Sequence, residues 1–359
     1  MTEWIADQAG LESVIAQIGS AEQHALDTEF ERIRTYWPKL ALLQVALPGR
    51  IALIDPLAFT DLSALAAALH NGGHWLMHSA SEDLVALRPL SEKTCTALFD
   101  TQIAAALLGL GAALSYQKLV ALVLGVDLAK SETRSDWMRR PLSPDQIEYA
   151  ADDVIHLQAL AEHLGDRLQR LGRIDWLWQD GARQIAASGD DIWPSNPQHE
   201  IRTASRLPLE VQLRAHALLH WRERTAREID RPRNWVLDNN SALALALDPP
   251  DAGPALLARL KECRAFPRRL TTEVLALLAD PQAEPGFAAA PAPLDREAEA
   301  ALHRLRERVG ALAQELALEP STLASRRLLE GRVRDRQWPA DCTAWRRELL
   351  EPLAREVLG

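Results

Sequence analysis

Cysteine is scarce in this chain of 359 residues, and the three present, Cys95, Cys263 and Cys342, lie far apart with no C-x-x-C pair. That spacing argues against a disulfide framework and against a thiolate zinc site. Also missing is any run of about 18 apolar residues, the length a transmembrane helix needs. The opening MTEWIADQAGLESVIAQI carries acids and no basic stretch ahead of an apolar run, so a cytoplasmic protein without a membrane partner is expected. Lysine almost vanishes beyond residue 200, where Lys261 stands alone among arginines. Arginine's planar fork suits phosphate oxygens, although a GC-rich coding sequence would produce the same bias.

Apolar residues make up 47% of the sequence and charged ones 25%, which is ample material for a core. The net charge of −10 is unevenly spread. Residues 1–200 hold 27 acids against 15 bases, and residues 201–359 hold 23 against 25. The length implies two or three domains. Short apolar runs alternate with helical patterns over the first 165 residues, as an α/β domain requires. The strand candidates are HALDTEF, KLALLQVAL, RIALIDP, HWLMHS and CTALFDTQ. The first three, joined by short turns, read as a meander. A helix start is marked at PLSPDQIEYAADDVIHLQALAEHLG, where Ser143 is an N-cap, Pro144 fits the first turn and Gln146 completes a capping box. Gly165 is its expected end. The Pro, Ser, Asn and Asp density near residue 195 reads as a linker, and AEPGFAAAPAP reads as a second. The expected organisation is an α/β domain over 1–195, with a mixed sheet flanked by helices, then all-α domains over 205–282 and 293–359.

Asp27 and Glu29 lie at the end of the first strand candidate, and their i, i+2 spacing points both carboxylates to one side of an extended chain. Asp83 follows another strand candidate and opens a helix. Asp153 lies four residues after Tyr149 on the capped helix, which brings both onto one face. Taken singly, each acid reads as a solvated or capping residue. Together, carboxylates from separate strands and a helix are what hard cations such as Mg²⁺ or Mn²⁺ require.

DTEF, HSASEDL and YAADD stand in the order and spacing of the three motifs of the DEDD exonuclease superfamily, and the Tyr-x-x-x-Asp form resembles its tyrosine branch. The stretches DTEFERIRTYWPKLALLQVA, DTQIAAALLG and KSETRSDWMRRPLSPDQIEYAADDV extend that resemblance to its ribonuclease D family. RERTAREIDRPRNWVLDNNSALALA and LAQELALEPSTLASRRLL resemble that family's two helical HRDC domains. The resemblance implies a ribonuclease H-like exonuclease fold and a 3′ to 5′ exoribonuclease that releases nucleoside 5′-monophosphates, with precursor tRNA 3′ ends as substrate. It also implies that Asp27, Glu29, Asp83 and Asp153 hold two divalent cations, Mg²⁺ or Mn²⁺, and that Tyr149 orients the attacking water. His156 follows Asp153 and is read as structural. Asp152 faces away from Tyr149, and Asp100 is read as a supporting or packing residue. No obligate protein partner is evident.

Residues that could grip RNA are Arg34, Tyr36 and Trp37 after the first acids, and Lys130, Arg134, Trp137 and Arg140 ahead of the capped helix. Aromatic and guanidinium planes can stack on unpaired bases. Packing beneath the sheet edge is an equal reading for Tyr36 and Trp37. Two other functions use the same features: a DNA exonuclease of proofreading type, and a catalytically silent RNA-binding scaffold.

Overall fold

The computed structural model describes residues 1–71, 73–90, 95–128, 135–189, 195–282 and 286–359. Strands β1 (Thr2–Ile5), β2 (Gln23–Glu31), β3 (Lys39–Leu47), β4 (Arg50–Ile54), β5 (His74–Met77) and β6 (Leu98–Asp100) form one sheet in the order β1-β4-β3-β2-β5-β6. The pairs β1–β4, β2–β5 and β5–β6 are parallel and β3–β4 is antiparallel, so the sheet is mixed, as expected. The three strand candidates of the meander are successive neighbours in it. Strand β1 was not foreseen. Only Ile5 of its four residues is buried, which leaves too short an apolar signal to read.

Helices α1 (Gln8–Ile18), α2 (Ser63–Asn71) and α3 (Ser81–Ala86) pack on one sheet face. The opposite face carries α4 (Thr101–Leu107), α5 (Tyr116–Leu124), α6 (Pro144–Ile155), α7 (Leu157–Arg170) and α8 (Ile174–Ala187). Leu43 and Ile54 face the first layer while Leu42 and Leu53 face the second. A strand covered on both sides loses polar alternation, which is why KLALLQVAL is almost continuously apolar.

The capping box forms as read: the Gln146 N–H donates to Ser143 Oγ at 3.1 Å, and the Ser143 N–H donates to Gln146 Oε1 at 2.9 Å. The helix it starts ends earlier than expected. A break at His156 separates α6 from α7, and α7 runs through Gly165. That glycine is no terminator; a Cβ there would make only ordinary contact with the Phe99 ring, at 3.6 Å, where α7 packs on the sheet. Gly181 is tighter still, since a Cβ would lie 2.3 Å from the Leu98 carbonyl oxygen, and this absence of a side chain lets α8 ride on β6.

The chain divides into two compact units. One comprises Met1–Glu31, Leu40–Asp190 and Leu294–Gly359; the other comprises Arg32–Lys39 and Asp191–Pro293. In the second unit α9 (Leu209–Glu228) is the central helix. Its Ala215, Leu218 and Trp221 are enclosed with residues of α10 (Arg233–Val236), α11 (Asn239–Leu247), α12 (Gly253–Arg259) and α13 (Thr271–Ala279). Tyr36, from the segment after β2, joins this core.

The closing block consists of α14 (Arg296–Glu315), α15 (Pro320–Leu323), α16 (Arg326–Asp335) and α17 (Ala344–Leu358), and it shares a core with the sheet's second layer. Trp345 of α17 stacks on Trp176 of α8, with centroids 4.4 Å apart and planes within 5°. Asp180, 2% exposed, accepts from both terminal nitrogens of Arg346, one at 2.8 Å. Arg346 also donates to the Thr322 carbonyl and to Thr343 Oγ1. Among the described residues no helix is long and apolar enough to cross a membrane.

A buried pair costs much more to break than to replace. Arg346→Ala is therefore expected to lower unfolding free energy by about 3 kcal/mol, and an Arg346→Met, Asp180→Leu double variant should recover much of it. Urea unfolding of the full chain measures both, and an unchanged midpoint for Arg346→Ala would contradict the anchoring role.

Candidate metal and catalytic site

Three separate elements deliver the acids. Asp27 and Glu29 stand near the carboxyl end of β2, half-buried, with the buried Thr28 between them. Asp83 lies in the first turn of α3, reached from the end of parallel strand β5, and is 9% exposed. Tyr149 and Asp153 come from α6, which packs across β2 and β4. One carboxylate oxygen from each of Asp27, Glu29 and Asp153 lies within 4.8 Å of the others. Asp83 stands just outside that tight triangle but is close enough to repel Asp27, Glu29 and Asp153.

Electrostatics give the site its character. Burial raises Asp27 well above the carboxylate range, and Asp83, Asp153 and Glu29 add to the rise. Glu29 is pushed to about 9 by burial and by the charges of Asp153 and Asp83. Asp153 reaches about 7, chiefly through burial, against the hydrogen bond it accepts from Tyr149. Asp83 reaches about 6 by burial, opposed by the hydroxyl of Thr28. Among the described residues no lysine or arginine pairs with any of the four. A hard-oxygen donor set with no counter-charge among the described residues fits divalent cations such as Mg²⁺ or Mn²⁺. Among the described residues no histidine or cysteine joins it.

The supporting contacts explain how Asp83 is held. Thr28 Oγ1 donates to its Oδ1 at 2.5 Å. Asp100, 1% exposed, takes the backbone N–H groups of Ser79 and Ala80 on its two oxygens, at 3.0 and 2.9 Å, and also accepts from Gln102 and Ile103 at the start of α4. Ser79 sits in the left-handed region with φ 59°, so the carboxylate fixes an unfavourable turn directly ahead of α3. Asp100 thus spends its two oxygens on four backbone N–H groups, which fits the supporting role expected of it. The Tyr149 hydroxyl donates to Asp153, and burial with the charges of Asp153 and Glu29 pushes the phenol well above its ordinary pKa. It is a neutral group at pH 7.

Two neighbours escaped the sequence reading. Thr28 has no motif of its own, and only its place between two acids hints at a role. Tyr116, buried at the start of α5, accepts from the His156 N–H at 3.3 Å, and burial together with Asp153 and Asp27 raises its phenol. Its position in an apolar helix makes it read as core. His156 itself stands at the α6–α7 junction, where its backbone N–H and not its ring meets Tyr116.

Several RNA-contact assignments change. Arg140 is fully engaged: Nε and Nη2 donate to Asp55 at 2.8 and 2.7 Å, and the guanidinium also donates to the carbonyls of Ala41, Trp137 and Arg139. It clamps the loop that precedes α6 and has no donor left over for a phosphate. Trp137 is 5% exposed with its ring 6.0 Å from that of Tyr149, so it packs instead of offering a face to a base. Tyr36 is likewise buried. Its hydroxyl donates to Glu223 and accepts from Arg227 Nε at 2.9 Å, while Asp230 accepts its N–H at 2.9 Å. Trp37 is half-buried, edge-on to Tyr36 at 4.8 Å, and Arg34 is exposed. Lys130 and Arg134 lie outside the described residues.

Two outcomes follow from the crowded acids. Groups with raised folded pKa values stabilise the fold at low pH and lose that contribution as pH climbs through those values. In EDTA, melting temperature is expected to fall between pH 5 and pH 9, through the values near 6, 7 and 9, and Mn²⁺ should restore it most at the alkaline end. Calorimetry that finds no such pH-dependent rescue would remove the repulsion argument. Thr28→Val keeps the shape and deletes the hydroxyl, and Mn²⁺ affinity measured by titration calorimetry is expected to drop roughly 10-fold.

Residues 2–169 match the family model described as a 3′-5′ exonuclease. The whole chain is 43% identical to ribonuclease D of Xanthomonas oryzae pv. oryzae, covering 99% of that protein. It is 35% identical to ribonuclease D of Pseudomonas paraeruginosa, over 97% of this chain and 95% of that one. The crystal structure of Escherichia coli RNase D, described as an exoribonuclease involved in structured RNA processing, superposes with a TM-score of 0.87 at 28% identity, covering 100% of this chain and 98% of that chain. With that identity sustained over its full length, and with its acidic cluster inside the exonuclease segment, the chain belongs to the ribonuclease D family.

Proposed function

We propose that this chain is a divalent-metal-dependent 3′ to 5′ exoribonuclease that trims RNA 3′ ends, those of precursor tRNA among them, and releases nucleoside 5′-monophosphates. The observation that carries the reading is the meeting of Asp27, Glu29, Asp83 and Asp153 in a desolvated pocket where, among the described residues, no cationic side chain offsets them. Asp27, Glu29 and Asp153 are the residues to hold Mg²⁺ or Mn²⁺, and Asp83, steadied by Thr28, completes the acidic wall. Bound there, two divalent cations supply stabilisation of both the attacking and the leaving oxygen of an in-line displacement at phosphorus.

The protein's own groups do the positioning. Tyr149 keeps its proton and directs it to Asp153, which leaves the phenol's lone pairs to accept from a water and aim it. A phenol raised above its usual range is too weak an acid to act as the full base near neutral pH. The clamped loop behind α6, fixed by Arg140 on Asp55, holds Trp137 against the Tyr149 ring and restricts where that ring can move.

A 3′-labelled RNA and a DNA of the same sequence, each incubated with Mg²⁺ or Mn²⁺ and with EDTA, test the reading. RNA should be shortened from its 3′ end with loss of mononucleotides, and EDTA should stop it. Asp27→Asn and Asp153→Asn should abolish release while keeping the fold, and Tyr149→Phe should lower it by roughly 10²-fold. Metal-independent release, or activity surviving in either Asn variant, would sink the assignment; preference for DNA would transfer it to the other exonuclease class.

A further inference from the structure

The second compact unit contains a cavity of 380 Å³ that the catalytic reading does not use. It lies between the segment after β2, the side of α9, and the start of α10 and α11. Its charged lining is Arg32, Arg222 and Arg233 against one acid, Glu200, and Asn234, Asn239 and Thr35 supply neutral polar groups. The volume falls within the range of small-ligand sites.

Arg222 is the unusual member. It is 4% exposed, on α9, and its hydrogen-bond partners are neutral: Nη1 donates to Asn239 Oδ1 at 2.6 Å and to the Leu237 carbonyl at 3.3 Å. Nε is buried without a hydrogen-bond partner. Among the described residues no carboxylate forms an ion pair with this guanidinium. The adjacent acid, Glu223, is already engaged by Arg233 at 2.9 Å, by Arg227 at 3.5 Å and by the Tyr36 hydroxyl. A buried cation whose hydrogen-bond acceptors are neutral is costly to maintain; burial depresses its basicity, and the charges of Glu223, Glu200 and Asp238 nearby offset only part of that. The Arg140 guanidinium, by contrast, meets a carboxylate and three carbonyls.

We propose that this cavity is a phosphate-binding subsite, with Arg222 at its floor and Arg32 and Arg233 at its rim, that takes a backbone phosphate of bound RNA. The inference rests on the exoribonuclease reading for its choice of anion. A phosphate offers several acceptor oxygens to converging forked donors, and guanidinium recognises that geometry better than a point charge would. Arg233 is already paired with Glu223, so the counter-charge for the anion comes from Arg222 and Arg32, with Glu200 the opposing acid of the lining, and the two asparagines add neutral donors. A free mononucleotide or inorganic phosphate carries the same group, so the experiment separates the sources.

Binding of the full chain to a fluorescent single-stranded RNA of a dozen nucleotides is measured in EDTA over a range of salt, alongside calorimetric titration with inorganic phosphate and with AMP. Arg222→Gln removes the buried cation, and Asn234→Asp adds a negative charge from an exposed position that does not threaten folding. Each variant should weaken RNA binding at least 5-fold at low salt, and Arg222→Gln should reduce the salt slope by about 0.7. Circular dichroism confirms that both are folded; if Arg222→Gln is not, Asn234→Asp decides. Unchanged RNA affinity and slope in the folded variants overturns the subsite. Loss of phosphate or AMP binding with RNA affinity intact overturns the RNA assignment. Mn²⁺-dependent nucleotide release by the unaltered protein is followed in parallel. Its absence fails the exonuclease reading, whereas its presence beside variants with normal RNA affinity fails only the subsite.

Discussion

Mutual repulsion among carboxylates, in a place where water cannot screen it, is the constraint around which this structure is arranged. Burial contributes the largest part of the rise at Asp27, Glu29, Asp83 and Asp153; neighbouring charges within the group add to it at Asp27, Glu29 and Asp153, and Asp100 adds to it at Asp83. A chain seeking stability alone would scatter these acids or pair them with arginine, of which it has many. The charge is left uncompensated by any described side chain. A fold that keeps such a group together must fasten each backbone segment independently, because the acids themselves push apart.

Each fastening is visible and chemically distinct. The strand carrying Asp27 and Glu29 lies inside a six-stranded sheet. The turn before Asp83 hangs on the two oxygens of Asp100, with Thr28 bonded directly to the acid. The helix carrying Tyr149 and Asp153 is started by the Ser143–Gln146 box and preceded by a loop pinned through Arg140 to Asp55. Buried hydrogen bonds to ionised groups are the stronger kind, and in a desolvated setting they resist distortion. The supports are therefore of the same electrostatic type as the strain they oppose.

Legibility in the sequence followed locality. Asp27, Glu29, Tyr149 and Asp153 are separated by short, regular offsets, and their faces follow from strand and helix periods alone. The capping box was equally local. The end of α6 was not, because Gly165 looks like a terminator while the break falls at His156, where no cap residue announces it. Thr28 and Asp100 are bonded to partners 55 and 21 residues away, and Tyr116 lies 40 residues from the backbone it meets. No periodicity encodes such distances. The closing helical block posed the same difficulty, since nothing in α8 or α17 alone announces that Trp176 will stack on Trp345 or that Asp180 will receive Arg346.

Arginine was the residue type most easily misread, and the reason is physical. The same side chain can clamp two protein segments or wait for an anion, and sequence neighbourhood does not distinguish the two. Arg140 stands ahead of α6 in a basic stretch, which invites a phosphate role, yet it is satisfied by a carboxylate and three carbonyls. Arg222 stands in the middle of a helix that reads as ordinary core, yet it is buried with one nitrogen unanswered beside a polar cavity. Local charge density predicts the opposite assignment from the one the acceptors support. For a buried guanidinium the useful measure is how many of its donors the protein itself satisfies, because the remainder is what a bound anion would have to supply.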